Sequence, residues 1–241
     1  MIRIACCLLL VIGFVRGEDA SAILAIRKIG GYVETNRAGQ VTKVNLNGLP
    51  GIEAGVFQVV GTFTNLTDLS LERCALDERT LDLSRLKNLE WLNLYQAQVT
   101  DRMAEQISQV KSLKLLPIGS SSVSDSGLAH LSRLTGLEYL GLRDTKVTNA
   151  GLFALTNLVK LEGLHLGETK VTDAGLRQVA KLTKLEKLWL HDTAVTDDGI
   201  QLLAVLKNLK QLLVYNTEVT AEGYRRLHRA LPDCFILYRV E

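Results

Sequence analysis

Two histidines and an aspartate are the residues whose types and spacing suggest chemistry in this chain. His191 is followed directly by Asp192, which resembles half of a catalytic relay, and His165 lies in the preceding repeat unit, 26 residues earlier. Two imidazoles that the fold brings together can also share a metal ion. A relay needs a hydroxyl or thiol nucleophile within reach, and the sequence gives none a reason to lie nearby. Neighbouring strand residues point to opposite faces, so we expect His191 and Asp192 to be separated unless a turn intervenes.

Motifs of known enzyme classes are missing from the sequence. It contains no nucleophile elbow, no H-E-x-x-H, no P-loop and no dinucleotide-binding glycine motif. The remaining histidines, His130 and His228, fall in helical patterns and are expected at the surface. We therefore predict a non-catalytic protein without a cofactor.

Three acidic residues recur at intervals of 24 residues, which places them on adjacent turns of any repeating fold: Asp144, Glu168 and Asp192. Carboxylates spaced about 5 Å apart can hold a cation or a basic partner. Lys146 and Lys170 follow two residues later and are expected to neutralise them. We predict no metal site here, and a cation on this acidic column remains the alternative.

The elements that must position these residues come from an internal repeat. The segments "LEYLGLRDTKVTNAGLFALTNLVK", "LEGLHLGETKVTDAGLRQVAKLTK", "LEKLWLHDTAVTDDGIQLLAVLKN" and "LKQLLVYNTEVTAEGYRRLHRALP" follow one another without a gap. Earlier copies are recognisable, and two of them are looser. Eight tandem units result, and they begin at Val41, Leu66, Leu89, Leu113, Leu137, Leu161, Leu185 and Leu209.

The shared pattern L-x-x-L-x-L-x-x-T-x-V-T-D-x-G-L resembles the leucine-rich repeat family over residues 41 to about 232. It looks closest to the cysteine-containing repeats of F-box proteins, with threonine in place of the usual cysteine. No F-box motif accompanies the repeats, which argues against a ubiquitin-ligase role. The resemblance implies an α/β fold: a right-handed solenoid with a parallel sheet on its concave face, short helices on its convex face and a cap at each end.

The pattern has a direct physical meaning in each unit. L-x-x-L-x-L predicts a short strand with leucines inward, and G-L-x-x-L-x-x-L predicts a helical segment packed on the same core. The first threonine of each later unit is expected to hydrogen-bond to the turning backbone after the strand (Thr145, Thr169, Thr193 and Thr217). The second is expected to begin the helix (Thr148, Thr172, Thr196 and Thr220). We predict a helix and a hairpin before the first unit and a final strand after Pro232.

The third, fifth, seventh and eighth positions of each unit are expected to be exposed, and together they define what we call the sheet face. Aromatic residues are 5% of the chain, yet five of them and two of the four histidines fall there. Glycines between them suggest a groove with aromatic ends. Strand preference alone explains part of this excess. We predict binding through Trp91, Tyr95, Tyr139, Arg143, His165, Trp189, His191 and Tyr215.

The favoured function is therefore a secreted protein that binds a protein or peptide through the sheet face. A glycan-binding module of the cell envelope, with Trp91, Tyr139 and Trp189 as stacking platforms, is the alternative. A structural spacer is the third hypothesis. None of these predicts stable membrane insertion.

The N-terminus, "MIRIACCLLLVIGFVRG", has the layout of a secretory signal peptide. We predict domains at residues 1–17 (signal peptide), 18–40 (N-terminal cap) and 41–241 (solenoid with its C-terminal cap), in a secreted or periplasmic location. A retained membrane anchor remains the alternative. Without residues 1–17 the 28 basic residues lose Arg3 and Arg16 and the 26 acids lose none. The resulting neutral charge offers nucleic acid no basic face. Cys74 and Cys234 are expected to be free thiols.

Overall fold

The structure is a computed structural model that describes residues 17–239, with side chains from residue 20 onward. Ten strands form one sheet in which the spatial order equals the chain order. They are β1 (Tyr32–Thr35), β2 (Val41–Asn45), β3 (Asp68–Ser70), β4 (Trp91–Asn93), β5 (Leu115–Pro117), β6 (Tyr139–Gly141), β7 (Gly163–His165), β8 (Lys187–Trp189), β9 (Gln211–Leu213) and β10 (Phe235–Leu237).

Short helices alternate with the strands. They are α1 (Gly17–Lys28), α2 (Ala54–Val60), α3 (Asp101–Ile107), α4 (Asp125–Leu131), α5 (Asp173–Val179), α6 (Asp197–Gln201) and α7 (Ala221–Ala230), with 3₁₀ helices at Gly151–Asn157 and Leu202–Val205. The expected helix of the second unit is not formed, and residues 71–90 make turns instead. This unit lacks the V-T-D segment, or a close variant of it, at which the helical segments of the third to eighth units begin. Among the described helices, none combines the length and apolar character needed to cross a bilayer.

The leucine pattern accounts for the sheet. Strands β2 to β10 are parallel, and each of β2 to β9 lies in one of the eight predicted units. The middle leucines of neighbouring strands pair in register and are completely buried, as in Leu140, Leu164, Leu188 and Leu212. Because no unit can bury its leucines alone, stacking gives the chain one continuous core.

Both ends of the sheet are built as the sequence predicts. Helix α1 is followed by a hairpin in which β1 pairs antiparallel with β2, and β10 adds a last parallel strand. The predicted signal peptide lies almost entirely outside the described residues. The division into signal peptide, cap and solenoid therefore stays a prediction.

The first threonine column is confirmed as a hydrogen-bond ladder. Thr145, Thr169 and Thr193 each donate from Oγ1 to the carbonyl three residues earlier, at 2.6–2.7 Å, and Thr217 does the same. Of the second column, Thr196 and Thr220 accept backbone N–H groups of the helices they begin. Thr172 stands at the start of α5 without such a bond. Its hydroxyl accepts instead from the Asn149 amide, at 2.8 Å.

The aspartate of V-T-D performs a role that we did not predict. In addition to its place in the first helical turn, it binds the threonine of the next unit, an arrangement we call the inter-repeat clamp. Asp173 Oδ1 accepts from the Thr196 backbone N–H (2.8 Å) and Oδ2 from its hydroxyl (2.7 Å). The same two bonds join Asp125 to Thr148 and Asp197 to Thr220. From the third unit onward each unit is therefore joined to the next, by charge-assisted hydrogen bonds where the residue is aspartate and by neutral ones where it is Asn149.

The glycine of the same motif makes room for this clamp. A Cβ atom on Gly199 would overlap Oδ1 of Asp173 and lie 2.5 Å from its Cγ. The glycines at the same position of other units face the preceding Asp or Asn in the same way: Gly127, Gly151, Gly175 and Gly223. Threonine, aspartate and glycine therefore recur together because they form one contact between neighbouring units.

Both cysteines of the described chain are free and buried, as predicted. Burial raises the pKa of Cys74, and it raises that of Cys234 to about 11. Because the thiolate is the reactive form, we expect neither to be alkylated at pH 8 while the protein is folded, and both to be alkylated in denaturant. Mass-spectrometric mapping of iodoacetamide adducts measures this. Labelling of either position in the folded protein would contradict the assignment.

Candidate functional site

Five rings on the sheet face form a continuous group, which we call the aromatic cluster. Tyr139 meets Trp189 edge to face, with centroids 6.1 Å apart, and Trp189 lies 5.4 Å from His165. His165 lies 5.2 Å from His191, which stacks in parallel on Tyr215 at 4.8 Å. The sequence predicted all five as site residues, and the structure brings them into one cluster across the fifth to eighth units.

Strand register explains why rings from different units meet. Gly141, His165 and Trp189 are paired across β6, β7 and β8, so the two rings stand side by side. The strand positions beside these rings include glycines, and other rings of the cluster lie over those glycines. A Cβ on Gly163 would come within 2.8 Å of the Tyr139 ring, and one on Gly167 within 2.6 Å of His191 Nε2. The predicted groove along the glycines is therefore wrong, because aromatic rings cover them.

His191 corrects the expectation that every seventh position is exposed. It is only 4% exposed, since it is enclosed by the rings of the cluster. Other sheet-face positions are buried as well, namely Ser70, Asn93, Gly119, Gly141, Gly163 and Gly167. His191 therefore lies beneath the more exposed rings and packs against them. The remaining predicted binding residues are partly exposed.

A turn intervenes at His191 and Asp192, which is the case in which the two are not expected to be separated. Asp192 Oδ2 lies 2.8 Å from His191 Nδ1 and accepts a hydrogen bond from it. The turn after the strand brings them together, because Asp192 has the left-handed φ of 56°. All eight units have a residue with positive φ at the eighth position. In the first unit this residue is glycine, and from the second unit onward it is another residue type. The other ring nitrogen, Nε2, lies 3.0 Å from Nε2 of His165.

The charges around the cluster are paired. Arg143 donates from Nε to Glu168 at 2.8 Å and from its terminal nitrogen to the same oxygen. This hydrogen bond raises the pKa of Arg143, and the bond from His191 lowers the pKa of Asp192. Burial, aided by His191 and Arg143, lowers the pKa of His165 to about 4.

The acidic column is thus neutralised differently from the prediction. In the described residues neither Lys146 nor Lys170 forms an ion pair with it, and Arg143 pairs with Glu168 instead. Arg143 reaches that carboxylate from the seventh position of the preceding unit. Asp192 accepts from His191 and, at 3.0 Å, from the Asn216 amide. Glu168 and Asp192 therefore belong to the network that surrounds the aromatic cluster.

Trp91 and Tyr95 lie outside the aromatic cluster, in the third unit. Trp91 pairs in register with Leu115 of β5, and the Tyr95 ring lies 3.3 Å from the position of a Cβ on Gly119. Tyr95 covers its glycine as the rings of the cluster cover theirs. The predicted binding residues therefore divide into two groups along the sheet.

A pocket of about 250 Å³ beside Tyr139 was missed by the sequence reasoning. Leu115 and Lys187 line it together with three glutamates from the second position of successive units (Glu138, Glu162 and Glu186). The recurrence of glutamate at that position was the available signal. The predicted sheet face comprises only the third, fifth, seventh and eighth positions, so it does not include these glutamates.

Solved structures with this architecture are numerous. Internalin C2 of Listeria monocytogenes matches with a TM-score of 0.63 and 22% identity, covering 93% of each chain. The fold is that of a leucine-rich repeat solenoid. The leucine-rich repeat ectodomain of the Arabidopsis thaliana receptor kinase GASSHO1/SCHENGEN3, in complex with CASPARIAN STRIP INTEGRITY FACTOR 2, matches with a TM-score of 0.56 and 19% identity, over 85% of this chain and 25% of that one.

A third leucine-rich repeat solenoid, the plant peptide hormone receptor RGFR1 in complex with RGF2, has a TM-score of 0.53 and 17% identity. The match covers 87% of this chain and 40% of that one. No protein-family model matches the sequence, and no curated protein does. At these identities the likeness concerns the fold alone.

The lowered pKa of His165 gives stability a defined pH dependence. The ordinary value of 6.5 applies to the unfolded chain and about 4 to the folded one, so the unfolded chain binds the proton first as pH falls. This stabilising contribution is complete above pH 6.5 and is lost progressively towards pH 4. We expect the melting temperature of metal-free protein to fall more steeply across this window than that of His165→Asn. Equal slopes in a series of thermal melts would contradict the assignment.

Proposed function

We propose that this protein is a secreted or otherwise extracytoplasmic interaction module that binds a protein or peptide through its sheet face, without catalysis. The observation that carries the proposal is the aromatic cluster. Tyr139, Trp189 and Tyr215 keep part of their surface accessible while their neighbours fix their positions. Rigid, amphipathic rings of this kind supply contact area at little cost in conformational entropy.

The site offers polar groups beside the rings. Arg143 is fixed by Glu168 at one side of the cluster, and the glutamate-lined pocket borders Tyr139. A protein or peptide ligand provides both apolar side chains and charges for such a mixed surface. Two of the solved relatives in fold are plant receptors in complex with peptide or protein ligands, which supports this reading.

The glycan alternative is less well supported by the geometry. A sugar stacks on a free aromatic face, whereas Trp189 already has Tyr139 and His165 packed against it. Trp91, at the separate third unit, is the better stacking platform. Titration of the protein with cell-envelope oligosaccharides while following tryptophan emission separates the two hypotheses.

The direct test uses the tagged protein as bait on extracellular and envelope fractions, with captured proteins identified by mass spectrometry. The double variant Tyr139→Ala, Trp189→Ala is expected to lose the captured partner. Phe153→Ala is the matched control, because Phe153 is an aromatic residue 64% exposed on a 3₁₀ helix outside the sheet. A partner retained by the double variant would place binding elsewhere and overturn the proposal.

A further inference from the structure

The histidine pair within the aromatic cluster has features that a protein–partner surface does not require. Nε2 of His165 and Nε2 of His191 face each other at 3.0 Å, although they come from different units. Such a pair is held together either by one proton shared between the nitrogens or by a metal ion that both bind.

The surroundings of His191 fix the direction of its free nitrogen. Because Nδ1 donates to Asp192 at 2.8 Å, Nε2 carries the lone pair. Asp192 is itself held by the Asn216 amide, and Tyr215 stacks on the imidazole with an angle of 1° between the rings. A carboxylate that orients a histidine through its second nitrogen is the outer shell usual for metal-bound imidazole.

The distance between the two nitrogens suits a shared ion. Bonds of 2.0–2.1 Å to a tetrahedral zinc ion place two ligand nitrogens about 3.4 Å apart. The observed 3.0 Å reaches that value through a movement of a few tenths of an ångström, of the kind side-chain rotations allow.

The local charge permits a cation. Asp192 and Glu168 carry two negative charges beside the histidine pair. Among the described residues, Arg143 is the one lysine or arginine that forms an ion pair with either carboxylate, and its partner is Glu168. Neutral imidazole is the form that binds metal.

We propose that His165 and His191 bind a divalent transition-metal ion of the zinc class through their Nε2 atoms, with water in the remaining coordination positions. Binding requires the other tautomer of neutral His165: the Nε2–H bond breaks, its proton passes to solvent, and Nδ1 takes up one proton in exchange, so that both Nε2 atoms offer a lone pair to the ion without net release of a proton. The carboxylate of Asp192 stays bound to Nδ1–H of His191. This site is independent of whether the sheet face binds a partner.

Trp189 provides a built-in reporter, because its ring lies 5.4 Å from that of His165. A bound Cu²⁺ ion quenches fluorescence at that range, and Trp91→Phe leaves Trp189 as the single tryptophan. Chelator-treated Trp91→Phe protein titrated with CuSO₄ is expected to show saturable quenching with one ion per chain. Calorimetry with ZnCl₂ at pH 7 in buffers of different ionisation enthalpy is expected to show one ion per chain and nearly the same enthalpy in each buffer, because both histidines bind as neutral rings.

Variants decide whether the histidine pair is the site. We expect His165→Asn and His191→Asn to weaken binding by about 100-fold or more, and Asp192→Asn by about 10–100-fold. The matched control is the double variant His130→Asn, His228→Asn, which removes the two histidines of the helices and keeps the pair. This control is expected to bind the metal like the parent.

Thermal melting checks that each variant is folded. His165 is partly exposed, so we expect His165→Asn to fold. It therefore tests whether the histidine pair binds the metal even if substitution of the buried His191 unfolds the protein. Two results would overturn the proposal. One is the absence of saturable binding in the parent, and the other is equal binding by folded His165→Asn. Either result would leave the pair as a hydrogen bond that shares one proton.

Discussion

Gly199→Ala is expected to destabilise the protein by about 2–4 kcal/mol, although alanine normally favours a helix over glycine. The added methyl group would occupy the place of the Asp173 carboxylate, 2.5 Å from its Cγ. Asp173 must then move away from Thr196, and both hydrogen bonds of the clamp are lost or stretched. Urea denaturation followed by circular dichroism measures the free energy of unfolding.

A glycine in the first turn of another helix provides the control. Gly55 in α2 has no atom within 4 Å of its missing Cβ, so Gly55→Ala is expected to be neutral or to stabilise by up to about 1 kcal/mol. Asp173→Asn separates charge from geometry, because Asn149 makes the equivalent contacts with Thr172. We expect it to cost less than Asp173→Ala. If Gly199→Ala and Gly55→Ala had equal effects, the clamp would carry no steric constraint.

Gly167→Ala is expected to cost about 1–3 kcal/mol and to disorganise the aromatic cluster. Its Cβ would lie 2.6–2.7 Å from Nε2 and Cε1 of His191. The imidazole has no free direction, since Tyr215 stacks on it and Asp192 holds its other nitrogen. Its displacement would change the contacts of His165 with Trp189, so a shift of tryptophan emission is expected together with the loss of stability.

Gly136→Ala is the matched control for this change. Its Cβ would lie 3.5 Å from the nearest atom, the Leu113 carbonyl oxygen, which is an ordinary contact. We expect an unchanged emission spectrum and a small change in stability. An unaltered spectrum for Gly167→Ala would mean that the ring of His191 moves freely, contrary to the stacked arrangement.

The sequence predicts the sheet well because its signal is local and repeated. L-x-x-L-x-L alone places a strand in each unit, and burial of Leu164 or Leu188 follows from the need to cover leucine. The clamp was not predicted, since Asp173 and Thr196 lie 23 residues apart and the pattern shows only that such residues recur. A helix cap and a contact between units both use aspartate and threonine at these positions, so the residue types alone do not distinguish the two roles.

The sequence predicts which residues belong to the candidate site better than it predicts how those residues are arranged. Aromatic residues at sheet-face positions indicated a cluster, but the burial of His191 depends on the glycine of the preceding unit, over which its ring lies. The contact of His191 with Asp192 depends on a left-handed turn residue. Aspartate and asparagine recur at that position in Asp144, Asp192 and Asn216, and their tolerance of positive φ was a usable signal.

The inter-repeat clamp also bears on how this chain can change in length. Each clamp takes its aspartate or asparagine from one unit and its threonine (serine in the fourth unit) and glycine from the next, so the two halves match between any adjacent pair from the third unit to the eighth. Excision of residues 161–184 would bring Asn149 against Thr196 and Gly199, which is a matched pair of the same kind. Whole units can thus be gained or lost by duplication and deletion without a new interface. The aromatic cluster has no such freedom, because it depends on one fixed order of neighbours from Tyr139 to Tyr215.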